Sequence, residues 1–233
     1  MNKEVTFKAK VFLLDLLFPK FCLGCGLEGG WLCPACQDQI LLVKTQVCPT
    51  CERVSSGGRF CRKCRQKKYL SGIIVSAYYG EGPTKELIHN LKYHGILELS
   101  DFLGEMLAGA LAENPPAKDM VLSFVPLHFL REKQRGFNQA EILTKVVAQR
   151  LKLPKARFLR KIRFTKRQVD LKGQERRKNL KNVFRVLPVF DPKGKTIVLV
   201  DDITTTGTTL EECARALKEA GAKRVWGLVA ARG

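Results

Sequence analysis

Val198-Leu-Val-Asp-Asp-Ile-Thr-Thr-Thr-Gly-Thr-Thr-Leu210 carries the clearest fold signal in the chain. An apolar run reaches two adjacent carboxylates, Asp201 and Asp202, then passes through threonines and one glycine into residues of helical spacing. A buried strand, a turn and a helix start are therefore expected in immediate succession. Backbone amides at a helix N-terminus lack intrahelical partners and attract anions. The hydroxyls of Thr205, Thr206 and Thr209 add donors, and Gly207 allows the backbone to approach a ligand closely. Two acids directly before such a cradle would repel a second phosphate, whereas they suit the vicinal hydroxyls of a sugar, which donate hydrogen bonds. A metal site or a simple helix cap is the plainer account of the acid pair.

Outward from this loop the chain alternates strands and helices. Lys195–Asp201 reads as a buried strand, Thr208–Ala220 as a helix with Leu210, Cys213, Ala214 and Leu217 at core spacing, and Arg224–Ala231 as a last strand. Upstream, Ile73–Tyr79 predicts a strand ended by the Gly80–Pro83 turn. A helix then runs from Pro83 to about Tyr93, and another from about Glu98 to Glu113. Val121–Pro126 is a short strand, and Asn138–Leu151 an amphipathic helix with Leu143, Val147 and Leu151 on one face. Strands joined by helices of this length imply an α/β fold with a parallel sheet covered on both faces. A Walker reading of Gly194-Lys-Thr196 fails, because the leading glycine is missing and a strand follows.

Eight of the nine cysteines form four CxxC pairs: Cys22/Cys25, Cys33/Cys36, Cys48/Cys51 and Cys61/Cys64. A CxxC turn presents two thiolates to one metal, and two turns complete a tetrahedron, so zinc in one or two sites is expected. Sequential pairing gives Cys22, Cys25, Cys33 and Cys36, then Cys48, Cys51, Cys61 and Cys64; a cross-braced arrangement would interleave them. Four cysteines per site leave no open coordination position, so the zinc is structural. Cys213, on an apolar helix face, is expected in the core. The chain divides into a cysteine-rich part, residues 1–68, and an α/β part, residues 69–233.

The 233 residues carry a net charge of +19, which favours polyanionic partners without choosing among them. Arg131–Arg185 holds 19 Lys and Arg against 4 Asp and Glu. The stretch reads as a flexible loop or a nucleic-acid track, and its part Arg157–Arg185 is weakly periodic; Phe158, Phe164 and Phe184 are interleaved with basic residues, an alternation that suits a strand as well as base stacking. Near the start, Val11–Phe18 follows Lys3, Lys8 and Lys10 but contains Asp15 and is too short to span a membrane. No small-x-small cleavage site follows it. An amphipathic helix and a cytoplasmic protein without membrane insertion are expected.

Four apolar residues, two acids, an apolar residue and x-Thr-Thr-Gly-x-Thr make up the phosphoribosyl pyrophosphate loop of type I phosphoribosyltransferases, which Ile197–Thr209 resembles at every position. That resemblance implies that Asp201 and Asp202 hold the ribose 2′- and 3′-hydroxyls. It implies that Thr204, Thr205, Thr206, Gly207, Thr208 and Thr209 hold the 5′-phosphate. Leu16-Leu-Phe-Pro19 before the first CxxC, Leu91–Gly95 and Val125–Ala140 are similar to motifs of the ComF family, as are Thr165-Lys-Arg-Gln168, Leu171 and Arg176-Arg-Lys-Asn179. The family joins a cysteine-rich zinc module to a phosphoribosyltransferase-like domain. Membership implies phosphoribosyl pyrophosphate with Mg²⁺ as ligand and a link to DNA uptake in natural transformation, with single-stranded DNA and a competence helicase as partners. It also nominates Lys92, Arg131 and Arg135 to stabilise departing pyrophosphate. His94 and His128 are expected near that anion site in a polar role. Thr205 stands where purine-type members carry an acid, which weakens a purine acceptor. No aromatic pair for stacking a base is evident in the sequence. An accessory factor that binds single-stranded nucleic acid and uses the pocket as a sensor is the rival reading.

Overall fold

A computed structural model describes residues 19–66, 68–80, 82–164 and 180–233. The expected helix at Val11–Phe18 and the motif pieces Thr165–Gln168, Leu171 and Arg176–Asn179 lie outside the described residues. In chain order the elements are α1 (Pro34–Gln37), β1 (Gly72–Tyr78), α2 (Thr84–His89, continued by a wide π-helical turn over Asn90–His94), α3 (Leu99–Glu113), β2 (Met120–Phe124) and α4 (Phe129–Arg135). They continue with α5 (Gln139–Leu151), β3 (Leu159–Lys161), β4 (Phe184–Val186), β5 (Thr196–Thr204), α6 (Thr208–Glu219) and β6 (Arg224–Arg232).

Four strands form one parallel sheet in the order β1-β6-β5-β2. Alternation along each strand splits the apolar residues between two faces. Val198 and Val200 of β5, with Trp226 and Leu228 of β6, face a core built with Leu87, Leu103, Leu107 and Leu143 of α2, α3 and α5. Ile197 and Leu199, with Val225 and Val229, face a second core completed by Leu210, Cys213 and Leu217 of α6. A sheet buried on both sides needs continuous apolar strands, which is why β5 and β6 read as such. Cys213 is wholly buried in this second core, as its helical position predicted.

Three local outcomes depart from the sequence reading. β5 runs through both acids to Thr204, because pairing continues to Ile203↔Ala231 and Thr204↔Arg232. Residues 129–135 form a short helix, capped by His128, whose Nδ1 accepts from the Leu130 amide, and closed by Gly136. Finally, the described ends of the basic stretch pair as an antiparallel hairpin, Leu159↔Val186 and Lys161↔Phe184. Phe158, Leu159 and Phe184 are buried in the second core, so apolar anchoring outweighs the basic composition.

The cysteine-rich part covers the free edge of β1, which would otherwise expose a row of unpaired backbone groups. Leu42 bridges to Ala77 and Arg59 to Gly72. The Gln46 carboxamide donates to Val75 O at 2.8 Å and accepts from Val75 N at 3.0 Å, standing in for a strand residue. Gly58 has φ +71°, and a Cβ there would lie 2.0 Å from Ile73 O, so contact with β1 leaves room only for glycine.

Candidate functional site

The Asp201–Thr209 segment joins the C-terminal end of β5 to α6. Adjacent strand residues point to opposite faces, so Asp202 is directed toward α2 and Asp201 toward α6 and the hairpin. Asp201 Oδ1 accepts from the Asp202 amide at 2.9 Å, and Asp202 Oδ1 from the Ile203 amide at 2.8 Å. The turn then needs a left-handed residue at Gly207 (φ 72°, ψ 7°), which starts α6 without any side-chain cap among the described residues. Backbone amides at a helix start of this kind can meet an anionic ligand. Thr205 and Thr206 are exposed on the turn, and the Thr206 and Thr208 hydroxyls lie 2.7 Å apart.

Around this loop lies an open cleft of about 630 Å³. Lys92, Arg131 and Arg135, from α2's π-turn and from α4, line it together with Asp201, Asp202 and Thr204–Thr209. Lys92 Nζ lies 2.6 Å from Asp202 Oδ2, an ion pair in which the carboxylate is 2% exposed and the lysine 18%. Burial works against the Lys92 ammonium, but the Asp202 and Asp201 charges outweigh it and raise its pKa. Burial, and then the Asp202 charge, lift the Asp201 carboxyl well above the usual carboxylate range. The cleft therefore holds a closely coupled acid pair, with one member neutralised by a lysine.

Two aromatic rings that the sequence did not place at the cleft also line it, Tyr93 and Phe164. Arg135 lies 5.5 Å from the centroid of Tyr93, and Arg131 5.2 Å from that of Phe164. They are far apart in sequence and belong to no common periodic pattern, so no local signal could pair them. His94 and His128 are not among the cleft's described lining residues, but His128 lies beside it, its ring centroid 5.3 Å from that of Phe164. His94 is exposed on the far end of the π-turn, and His128 is buried as the α4 cap. Burial, followed by the Lys161 and Arg131 charges, lowers the His128 pKa and favours the neutral ring that capping requires.

The eight CxxC thiols gather as two sequential tetrads, Cys22/Cys25/Cys33/Cys36 and Cys48/Cys51/Cys61/Cys64, with the sulfurs of each within 4.8 Å of one another. Cys25 and Cys33 are 3.6 Å apart, and Cys51 and Cys61 3.8 Å. A tetrahedral zinc with bonds of about 2.3 Å sets its sulfurs about 3.8 Å apart, so both tetrads fit it. Burial disfavours the Cys22 thiolate, but the Cys33, Cys25 and Gly24 amides directed at the sulfur bring its pKa to about 6. The Cys48 thiol is likewise drawn to about 6 against burial, by the Cys61, Cys51 and Thr50 amides. Preformed amide donors of this kind favour the ligand form of the thiol.

A fold with a parallel sheet, a Thr/Gly phosphate-type turn after two acids, and paired thiol tetrads defines a phosphoribosyltransferase-like protein with a zinc module. Two families match in agreement with this: the phosphoribosyl transferase domain over residues 138–231 and the double zinc ribbon domain over residues 13–68. Competence protein F of Haemophilus influenzae is 26% identical over 222 residues, covering 85% of this chain and 96% of that protein. DNA utilization protein YhgH of Escherichia coli O157:H7 is 32% identical, covering 90% and 96%. Competence protein ComFC of Bacillus subtilis is 28% identical, covering 82% and 79%. The chain belongs to the ComF family. Among the described residues no helix is long and apolar enough to cross a membrane.

Proposed function

We propose that the cleft binds phosphoribosyl pyrophosphate and transfers its phosphoribosyl group to an acceptor. The observation that carries this reading is the Thr204–Thr209 turn at the start of α6, with two carboxylates before it and three cations lining the same cleft. Asp201 and Asp202 accept from the ribose hydroxyls, and the turn amides and threonine hydroxyls hold the 5′-phosphate. Lys92, Arg131 and Arg135 receive the pyrophosphate as its bond to C1′ breaks and negative charge moves onto the departing oxygen. Mg²⁺ arriving with the pyrophosphate would share that charge. The acceptor then donates its electron pair to C1′. Residues 1–68 carry structural zinc in both tetrads, and residues 69–233 carry the transferase site.

Calorimetry with phosphoribosyl pyrophosphate and Mg²⁺ tests binding directly. Asp201→Ala and Asp202→Ala should abolish the signal, and an absence of binding to the wild-type chain would remove the reading. Pyrophosphate release screened over nucleobases, nucleic acids and amines then tests turnover.

A second reading rests on a different surface. Beside the cleft, a groove of about 530 Å³ is lined by Arg157, Arg160, Lys161 and Arg185, with Phe129 66% exposed at its margin. Positive charge beside an exposed ring suits single-stranded nucleic acid. The relatives' names, competence protein and DNA utilization protein, support a role in DNA uptake, to which this reading adds a cytoplasmic location with single-stranded DNA and a competence helicase as partners. If oligonucleotide binding survives the aspartate substitutions with its salt dependence intact, the two sites are independent.

A further inference from the structure

We propose that the second thiol tetrad is the brace of the phosphate loop, acting through Arg232 and Glu211 as positioning residues, and that the first tetrad has no such role. This rests on the Thr204–Thr209 turn being the phosphate cradle.

The Cys48–Cys51 knuckle lies against that turn. Val47, Pro49 and Thr50 line a crevice together with Thr204, Thr205 and Gly207, and its volume of about 20 Å³ leaves room for roughly one water molecule. Contact is therefore close. Arg232 fastens the two sides: its Nη2 donates to Pro49 O at 3.2 Å and to Glu52 Oε1 at 3.1 Å. In the sheet Arg232 is the register partner of Thr204, and the following Gly233 amide donates to Thr204 O at 3.0 Å. The turn's first residue is thus one strand pairing away from the knuckle.

The far end of the loop is held from the segment that directly follows the same tetrad. Glu211, in the first turn of α6, accepts from the Tyr69 amide at 2.7 Å and the Leu70 amide at 3.4 Å, just beyond Cys64. Cys48 and Phe60 are buried in one core with Ile73, Leu210 and Cys213. Ile73 in turn presses on Gly207, whose added Cβ would lie 3.2 Å from Ile73 Cδ1.

The first tetrad is placed elsewhere. Lys20 and Trp31 bond to Glu98 before α3, the indole at 2.8 Å, and Gly24 lies near Pro83 at the start of α2. Its described contacts are with helices on the other face of the sheet.

A ribbon this small has little core of its own, so a metal cross-link is what fixes its shape. In the second tetrad that fixed shape includes the Pro49 carbonyl and the surface on which the turn rests. Metal there, Arg232 and Glu211 thus form one support running from thiols to cradle.

The experiment compares wild type with Cys64→Ser, Cys33→Ser, Arg232→Met and Arg232→Lys. It reads zinc content by native mass spectrometry, amide hydrogen exchange across Thr204–Thr209, and the thermal shift with phosphoribosyl pyrophosphate and Mg²⁺. Arg232→Met should keep both zincs yet raise exchange in the turn about tenfold, the scale of one lost charge-assisted bond, with Arg232→Lys recovering part of it. Cys64→Ser should do the same with one zinc lost, while Cys33→Ser loses one zinc and leaves the turn unchanged. Unchanged turn exchange in Arg232→Met overturns the proposal even if Cys64→Ser fails to fold, and so does an equal rise in Cys33→Ser. Should wild type ignore phosphoribosyl pyrophosphate while exchange still separates the tetrads, the ligand reading fails and the brace stands.

Discussion

Removing the Lys92 ammonium should destabilise the fold through the charge it leaves behind. Asp202 is 2% exposed, and its Oδ2 takes no hydrogen bond among the described residues besides the ion pair with Lys92. At 2.6 Å and an effective dielectric of about 20, the gross attraction is about 6 kcal/mol. Desolvation of both ions offsets much of that, but truncating one partner of a buried pair still costs about 3–5 kcal/mol. Lys92→Met is therefore expected to lose about that much in urea unfolding at pH 7. Lys92→Met combined with Asp202→Asn should recover most of the loss. A deficit under about 1 kcal/mol is the behaviour of a surface ion pair and would mean that Asp202 is not left as a stranded buried charge.

Three further outcomes are expected. The folded-state pKa of Asp201 is raised, so its contribution to stability is fully present below the unfolded carboxylate pKa and falls as pH rises through the folded value. Asp201→Asn should therefore flatten the decline in stability above about pH 4, measured by denaturant midpoints, while losing phosphoribosyl pyrophosphate binding. Gly207→Ala places a side chain at φ +72° against Ile73, which should cost about 1–2 kcal/mol in thermal unfolding and blunt the ligand's thermal shift; a silent substitution would mean the turn is not held in that conformation. Replacing Arg157, Arg160 and Arg185 together by Ala should cut the salt slope of oligonucleotide binding by about 2, at about 0.7 per phosphate contact on a single strand. An unchanged slope would place the nucleic acid elsewhere.

Much of this architecture was legible in one dimension because its signals are local. A strand buried on both faces must be continuously apolar, as Ile197–Val200 is. A turn that leads into a helix start needs Gly207, and metal knuckles need CxxC. Alternation of phenylalanine with basic residues already suited a strand in the basic stretch, but the hairpin pairing was not legible, because Leu159 and Val186 meet across a long basic insertion and their strands are only three residues long. Helix α4 escaped for a related reason: its 7 residues bury no side chain, so no apolar stripe marks it.

By itself, then, the sequence determined the α/β class, the sequential thiol tetrads and the phosphate-type loop, since each depends on residues within a few positions of one another. Only tertiary structure decided what surrounds that loop. It set Lys92 on Asp202, Tyr93 and Phe164 beside Arg135 and Arg131, and the second ribbon behind the turn that opened the reading. It also made His128 a helix cap beside the cleft and left His94 exposed. Those placements follow from which faces of distant elements are buried against one sheet, and burial energy depends on the packed whole rather than on neighbours in the chain.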